Sequence, residues 1–204
     1  FTTALLKALH AYKKNIVRPE EIAAQACQIE LEKLREPIGK QDQYIAAYGG
    51  LKAFRFCKDE TVEVIDIDIV SEPKRKLGSN LLLFFTNVTR IASTILEEQK
   101  KSILDKISFH HRIKELAFDS VEGLKELDID RIGENLKINW EMKKQLASNV
   151  SNPEIDLMHN LAMEGGALGA KISGAGGGGF LLVYCERNKQ DKLRKSMRKY
   201  RELP

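Results

Sequence analysis

Residues 171–180 have the sequence Lys-Ile-Ser-Gly-Ala-Gly-Gly-Gly-Gly-Phe, and eight of the 14 glycines of the chain fall between positions 165 and 179. Backbone without side chains lets a ligand come within hydrogen-bonding distance, and successive N–H groups at positive φ can form a concave anion site. A tight hairpin or a flexible linker could also be this rich in glycine, but linkers have polar flanks. Here the flanks, 167–172 and 180–185, are mainly apolar. The pattern predicts strand, glycine loop, strand, with a ligand against the loop.

Gly174, Gly176 and Gly179 formally satisfy the nucleotide-binding pattern G-x-G-x-x-G. In dinucleotide-binding folds that pattern opens a helix, and an acidic residue follows about 20 positions later. Neither condition is met. A second predicted strand follows the loop in place of a helix, and no acidic residue ends a next strand. The phosphate-loop pattern G-x-x-x-x-G-K-[ST] is absent from the sequence. The glycine loop therefore needs another explanation.

Composition is that of a globular protein, with 43% hydrophobic and 30% charged residues and no apolar run long enough for a membrane helix. The net charge is +4, and the most basic stretch, 187–201, has apolar residues at helical spacing. We interpret it as a solvated helix face rather than a nucleic-acid surface. Three cysteines without a C-x-x-C pair predict no disulfide framework and a cytoplasmic location. The four histidines lack metal-ligand spacing, so core or surface roles are expected.

The order of elements predicts an α+β fold. The stretch 71–79, rich in Pro, Gly and charge, is the expected boundary between two domains, residues 1–75 and 76–204. The chain begins inside a predicted helix without a methionine and ends just after another, so we expect a piece of a longer protein. The predicted elements are helices at 2–13 and 19–35, strands at 51–57 and 62–70, a central strand at 81–85, four helices within 90–164, the glycine-linked strands, and a last helix within 187–201.

Glu30 has an unexpected position on the predicted helix 19–35. On a wheel of 100° per residue it falls within the apolar arc that includes Ile22 and Ala26. A carboxylate that faces a core is costly unless it is paired, hydrogen-bonded or bound to a metal. Two partners are open, an ion pair with Lys33 three residues along and a Mg²⁺ ion, and spacing alone favours the ion pair.

Asp42 lies in the loop after that helix, where N-capping of the following helix is the common role of an aspartate. Two carboxylates of this kind and an anion-binding glycine loop are, however, the set that phosphoryl transfer requires. That reaction needs a metal, an oriented nucleophile and convergent N–H donors.

The segments around these residues resemble the GHMP small-molecule kinases, over nearly the whole chain. Lys171–Gly179 resembles the family's third motif, Gly39–Gln43 resembles its catalytic-aspartate segment, and Glu30 is placed like its magnesium-binding glutamate. Within the family, 38–50, 85–90 and 140–144 resemble bacterial D-glycero-D-manno-heptose 7-phosphate kinases.

The resemblance implies a domain organisation as well. Residues 1–75 would be the remainder of a ribosomal-protein-S5-domain-2-like N-terminal domain, and 76–204 a ferredoxin-like C-terminal domain. The family's serine-rich phosphate loop and first motif are absent from this sequence. We therefore expect the chain by itself to be inactive.

The resemblance further implies a cytoplasmic kinase that uses ATP and Mg²⁺ to phosphorylate the anomeric hydroxyl of a sugar phosphate. Asp42 would be the catalytic base and Glu30 the magnesium ligand. For Arg90 and Lys171, the candidates for the phosphate of the substrate, a solvated or salt-bridged surface role is favoured over substrate binding. The expected phosphate and substrate loop is Ser173, Gly174, Ala175, Gly176, Gly177 and Gly178, and the expected substrate-binding residues are Gln43, Tyr44, Arg90 and Lys171.

Other functions remain open from the sequence. The substrate could belong to another small-molecule kinase of the family, of the fucose or mevalonate type. A binding protein with the kinase fold but without the chemistry is a second class, although the presence of both Glu30 and Asp42 argues against it. A nucleic-acid-binding domain would have only the stretch 187–201 as a basic surface. The partners expected are the sugar and ATP, without nucleic acid or membrane, and a homodimer remains open.

Overall fold

The computed structural model describes residues 1–88 and 92–203, which form two compact units, Phe1–Asp68 and Ile69–Pro204. Each unit combines helices with an antiparallel sheet, which confirms the predicted α+β class. In the described part of the chain, no helix has the length and apolar character needed to cross a bilayer.

The first unit packs helices against a hairpin. Pro19 begins the second helix, as predicted. Just before this helix, the Arg18 N–H donates to Glu21 Oε2 (2.9 Å), so this backbone donor has a partner. The strand predicted at 62–70 ends at Asp66, because its antiparallel partner extends only to Lys52. The last backbone hydrogen bond between the two runs from the Ile67 N–H to Leu51 O. The elements are α1 (Thr2–Tyr12), α2 (Pro19–Cys27), a π-helix (Gln28–Lys33), α3 (Gln41–Tyr48), β1 (Lys52–Phe56) and β2 (Val62–Asp66).

The stretch expected to be the domain boundary is helical. Ser71–Asn80 forms α4, the first helix of the second unit. Pro73 is its third residue, where the missing N–H removes no intrahelical hydrogen bond, so proline is compatible with the first turn. The two compact units divide between Asp68 and Ile69, just before this helix.

The second unit is built on a three-stranded antiparallel sheet with the order β3-β5-β4. The predicted central strand, β3, is instead an outer strand, and β5 lies in the centre. The apolar run of β3 remains compatible with that place because the Phe85 N–H bonds to Arg201 O and the Leu203 N–H bonds to Leu83 O along its outer edge. The strands are β3 (Leu81–Phe85), β4 (Gly169–Ile172) and β5 (Phe180–Tyr184).

The four helices expected within 90–164 are present, with the expected breaks between them. Trp140, Ile155 and Met158 are buried in a core with the inward residues of the strands. Gly169 lets α7 approach β4, because a Cβ there would lie 1.9 Å from the Gly133 carbonyl oxygen. The helices are α5 (Ala92–Lys101), α6 (Ile107–Lys125), α7 (Asp130–Lys144), α8 (Pro153–Glu164), a 3-10 turn (Arg187–Lys189) and α9 (Gln190–Ser196).

The basic C-terminal stretch is amphipathic as predicted. Leu193, Met197 and Tyr200 are buried, whereas Lys192, Lys195 and Arg198 are exposed. The charged residues therefore lie on the solvent-exposed side of a segment whose apolar side packs into the core. The cysteines at 27, 57 and 185 are free, and the first and last of them are buried.

Candidate functional site

The helix that carries Glu30 changes type before it reaches that residue. After α2, residues 28–33 form a π-helix in which the Leu34 N–H donates to Ile29 O (2.9 Å), five residues back. The wider turn shifts the following side chains relative to a wheel of 100° per residue. Leu34, which that wheel also places on the apolar arc, is 63% exposed, and Glu30 is half-buried. The predicted core-facing direction of Glu30 was therefore wrong, and π-helical turns often mark functional sites.

Gln43 is the hydrogen-bond partner of Glu30. Its Nε2 donates to Glu30 Oε2, and the Gln43 side chain is only 2% exposed. The Glu30–Lys33 ion pair considered from spacing is not among the ion pairs of the described residues. A buried amide thus holds one carboxylate oxygen and leaves Oε1 without a described partner. Such an oxygen suits Mg²⁺, which usually takes one or two protein carboxylates together with phosphates.

Asp42 is the second residue of α3 and is exposed. Lys40 occupies the N-cap position and no side chain caps the helix, so the N-cap interpretation of Asp42 was wrong. Within the described ranges, no hydrogen bond or ion pair engages its carboxylate. The first turn of a helix favours negative charge. The structure therefore presents a charged, uncommitted carboxylate one residue before the buried amide that holds Glu30.

Tyr44 lies in the core of the first unit and is 9% exposed. Its ring is 6.2 Å from that of Tyr48, and Phe54 and Phe56 meet it edge-on at 6.1 and 6.0 Å. Burial raises the pKa of its hydroxyl. The structure therefore gives Tyr44 a packing role, in place of the substrate contact that the resemblance implied.

A cleft of about 320 Å³ lies beside the Asp42 segment, between residues 39–41 and the hairpin turn that includes Cys57 and Thr61. Lys40 and Glu60 form an ion pair across it. The hydrogen bond that Lys40 donates to Glu60 is the main reason that the pKa of Lys40 is raised. This cleft was not anticipated from the sequence, because the hairpin turn is 15 or more residues from Asp42 along the chain.

The glycine loop connects β4 to β5, as predicted, and five of its residues have positive φ: Gly174, Gly176, Gly177, Gly178 and Gly179. At Gly176, where φ is 109°, an added Cβ would also lie 3.0 Å from the Val150 backbone. Any other residue there would be strained twice, by its φ and by this contact. The glycines are therefore required for the conformation of the loop, and they also leave its backbone accessible to a ligand.

The N–H groups of the loop divide into two sets. Gly177 donates to Val150 O (2.6 Å) and Gly179 to Val88 O (2.9 Å), which ties the loop to its surroundings. The N–H groups of Gly174, Ala175, Gly176 and Gly178 have no acceptor among the described residues. Gly177 was expected to contribute to the anion site, but its N–H is already engaged. The remaining four N–H groups are the candidates for a bound anion.

Two residues that hold the loop were missed by the sequence analysis. Lys143, at the end of α7, donates from Nζ to Gly174 O, and Gln99 of α5 donates from Nε2 to Ala175 O at 3.4 Å. Lys143 belongs to the segment 140–144 that had drawn attention by resemblance, but spacing could not connect that helix to the loop. Only the folded chain brings them together.

Lys171 lies on β4, three residues before Gly174, and is half-buried. Burial lowers its pKa, and no carboxylate within the described ranges lies within 4 Å of it. Lys171 therefore has no salt bridge within the described residues, and its side chain is less exposed than a solvated surface role predicts. Arg90, the other candidate for the substrate phosphate, lies outside the described residues.

The described residues contain no group of three or more His, Cys, Asp or Glu side chains that could hold a metal ion. His159 is half-buried, with its ring 6.2 Å from that of Trp140. It therefore has a packing role, within the core or surface roles expected for a histidine without metal-ligand spacing.

Residues 120–202 match a family model described as GHMP kinases C terminal. The chain is 36% identical over 181 residues to a D-glycero-alpha-D-manno-heptose 7-phosphate kinase of Campylobacter jejuni, an alignment that covers 88% of the chain and 53% of the relative. It is 30% identical over 226 residues to a galactokinase of Thermococcus kodakarensis, covering 95% of the chain and 61% of that enzyme. The chain thus spans between half and two thirds of the length of these two relatives.

Solved structures share the fold. A D-glycero-D-manno-heptose 1-phosphate kinase of Bacteroides thetaiotaomicron superposes with a TM-score of 0.77 and 24% identity, covering 99% of the chain and 56% of that structure. Phosphomevalonate kinase of Streptococcus pneumoniae superposes with a TM-score of 0.82 and 16% identity, covering 99% of the chain and 65% of that structure. At these identities the similarity concerns the fold alone.

Proposed function

Because the chain belongs to the GHMP kinase family, we propose that the protein containing it is an ATP-dependent kinase for D-glycero-D-manno-heptose 7-phosphate or a similar sugar. The new phosphate would go to the anomeric hydroxyl. The 36% identity to a heptose 7-phosphate kinase supports a sugar phosphate, while galactokinases and mevalonate kinases are similar at 25–30%. We assign residues 1–75 to the C-terminal part of the N-terminal kinase domain and 76–204 to the C-terminal domain.

The observation that carries the proposal is the exposed carboxylate of Asp42, which no described residue engages. In the proposed reaction it accepts the proton of the sugar hydroxyl as that oxygen bonds to the γ-phosphorus of ATP, and the bond from this phosphorus to the β,γ-bridging oxygen breaks to release ADP.

Glu30 is the proposed magnesium ligand. Its half-buried carboxylate, oriented by Gln43, suits a hard cation that prefers oxygen ligands. When bound with ATP, Mg²⁺ would neutralise charge on the β and γ phosphates. Gln43 then acts through Glu30: it fixes the carboxylate in place and contributes no contact with the substrate.

The glycine loop supplies hydrogen-bond donors for phosphate oxygens through the N–H groups of Gly174, Ala175, Gly176 and Gly178. Ser173 precedes these donors, but its own N–H bonds to Phe180 O (2.9 Å) within the hairpin. Lys171, half-buried without a described carboxylate nearby, is the proposed cation for the phosphate of the substrate. A partly desolvated cation without a counter-ion gains when an anion binds beside it.

ATP consumption by the full-length protein tests the proposal. The expected result is ADP formation that depends on D-glycero-D-manno-heptose 7-phosphate, with a new anomeric phosphorus signal in the ³¹P spectrum. L-Fucose, galactose and mevalonate should react more slowly at equal concentration. Absence of ADP formation with all four acceptors would contradict a kinase function, and a preference for mevalonate would contradict the sugar.

A further inference from the structure

Two side chains fix the direction of two N–H groups in the glycine loop. Each side chain donates a hydrogen bond to the carbonyl of the residue that precedes the N–H group. Lys143 Nζ donates to the Gly174 carbonyl, and Gln99 Nε2 donates to the Ala175 carbonyl at 3.4 Å. The described peptides are all trans. In a trans peptide the C=O and the following N–H point in opposite directions. The Ala175 N–H therefore points away from Lys143, and the Gly176 N–H points away from Gln99.

These two N–H groups are without an acceptor among the described residues, unlike those of Gly177 and Gly179, which bond to Val150 and Val88. An N–H without a protein acceptor is an open donor for a ligand. The ammonium group on the Gly174 carbonyl also polarises that peptide, since linked hydrogen bonds strengthen one another. The Ala175 N–H thereby becomes a better donor to an anion.

We propose that Lys143 and Gln99 are positioning residues, which orient the Ala175 and Gly176 N–H groups toward a phosphate and, through Lys143, strengthen the first of them. This inference rests on the proposed phosphate-binding role of the loop and adds residues from α7 and α5 to it. Neither residue needs to touch the nucleotide or the sugar. Lys143 contributes more than Gln99, because its bond is charge-assisted and the bond from Gln99 is long.

The test compares variants of the full-length protein. Lys143→Met removes the donor and the charge but keeps most of the aliphatic stem, whereas Lys143→Arg keeps both. Lys144→Met is the matched control, because the neighbouring ammonium pairs with Glu141 at 2.9 Å rather than with the loop. Gln99→Met removes the second donor and gives an independent variant. Melting temperatures identify any variant that is simply unfolded.

We expect Lys143→Met to lower kcat/KM for ATP by about tenfold, the usual size of a lost charge-assisted hydrogen bond. Lys143→Arg should restore most of that loss, Gln99→Met should have a smaller effect, and Lys144→Met should match the wild type. Equal values for Lys143→Met and Lys144→Met would overturn the inference. So would an arginine variant as impaired as the methionine variant.

A second readout separates this inference from the kinase proposal. Inorganic pyrophosphate is titrated into ¹⁵N-labelled protein, and the amide signals of Ala175 and Gly176 are followed. In the wild type both signals should shift, and in Lys143→Met the Ala175 shift should fall by more than half. If the wild type consumes no ATP but these shifts appear, the kinase proposal fails and the positioning role stands. If pyrophosphate leaves both amides unmoved, the positioning role fails.

Discussion

At the scale of single residues, one buried amide decides what Glu30 can do. Gln43 is 2% exposed and donates to one oxygen of the carboxylate, so the side chain is held without a cation. The sequence indicated Glu30 as a candidate site residue because a regular helical wheel placed its carboxylate in the core. The π-helix instead places it at a half-buried position where an ion could reach its second oxygen.

The magnesium role of Glu30 predicts a specific effect of Glu30→Gln in the full-length protein. The half-saturating Mg²⁺ concentration for ATP turnover should rise about tenfold or more, since a charged oxygen ligand is replaced by a neutral one. Glu32→Gln is the matched control, because Glu32 lies on the same π-helix and is exposed. Initial rates over a range of Mg²⁺ make the measurement. An identical Mg²⁺ dependence of the two variants would show that Glu30 does not bind the metal.

At the scale of elements, the sequence predicted local structure well and tertiary placement less well. The glycine loop and its two strands were predicted because apolar runs flank the glycines. The segment 71–79 was predicted as a domain boundary because it is rich in proline, glycine and charge, yet a proline in the first turn is compatible with the helix α4. The apolar run of β3 could not distinguish a central strand from an outer strand whose edge residues 201–203 cover. The π-helix leaves no signal that a periodicity of 3.6 could detect.

The same limit applies to the candidate site. Asp42, Glu30 and the loop glycines were found from residue type and family resemblance. Lys143 and Gln99 were not, because their contacts with the loop join parts of the chain 31 and 76 residues apart. Long-range hydrogen bonds of this kind have no sequence spacing to reveal them.

A polar connection between α7 and the sheet predicts the effect of Tyr184→Phe. The Tyr184 hydroxyl donates to Asp130 Oδ1 (2.7 Å) and accepts from Asn80 Nδ2 (3.0 Å), and Asn80 is 2% exposed. The variant should lower the free energy of unfolding by about 1–3 kcal/mol, because the Asn80 amide loses its partner while buried. Urea denaturation of the full-length protein measures this. Tyr12→Phe, at a residue 87% exposed, should stay within about 0.5 kcal/mol of the wild type; equal losses in both variants would refute the role of the connection.

At the scale of the whole molecule, the second unit contains an ionisable group that links stability to pH. His159 is half-buried beside Trp140, and its Nε2 is inaccessible to solvent and has no described hydrogen-bond partner. Burial lowers the pKa of His159, with Lys144 as a smaller contribution in the same direction and Glu141 and Asp156 acting against it. The neutral imidazole is therefore the form that the folded state favours.

This predicts lower stability in acid. Below the unfolded pKa of about 6.5 the unfolded chain binds a proton that the folded chain rejects, so the free energy of unfolding falls as pH decreases toward the lower folded pKa. In His159→Gln that contribution is absent. Unfolding free energies of the full-length protein from pH 7.5 to 5.5 should fall more steeply for the wild type than for the variant. Parallel curves would show that His159 does not carry this dependence.

The central claim is that Asp42 is the proton acceptor of a phosphoryl transfer, and Asp42→Asn in the full-length protein tests it most directly. The amide keeps the shape of the side chain, so MgATP affinity should change little, while sugar-dependent ATP turnover should fall roughly 10²- to 10⁴-fold. Both quantities are measured on the same preparation, with D-glycero-D-manno-heptose 7-phosphate as acceptor. Turnover within a few-fold of the wild type would contradict the account.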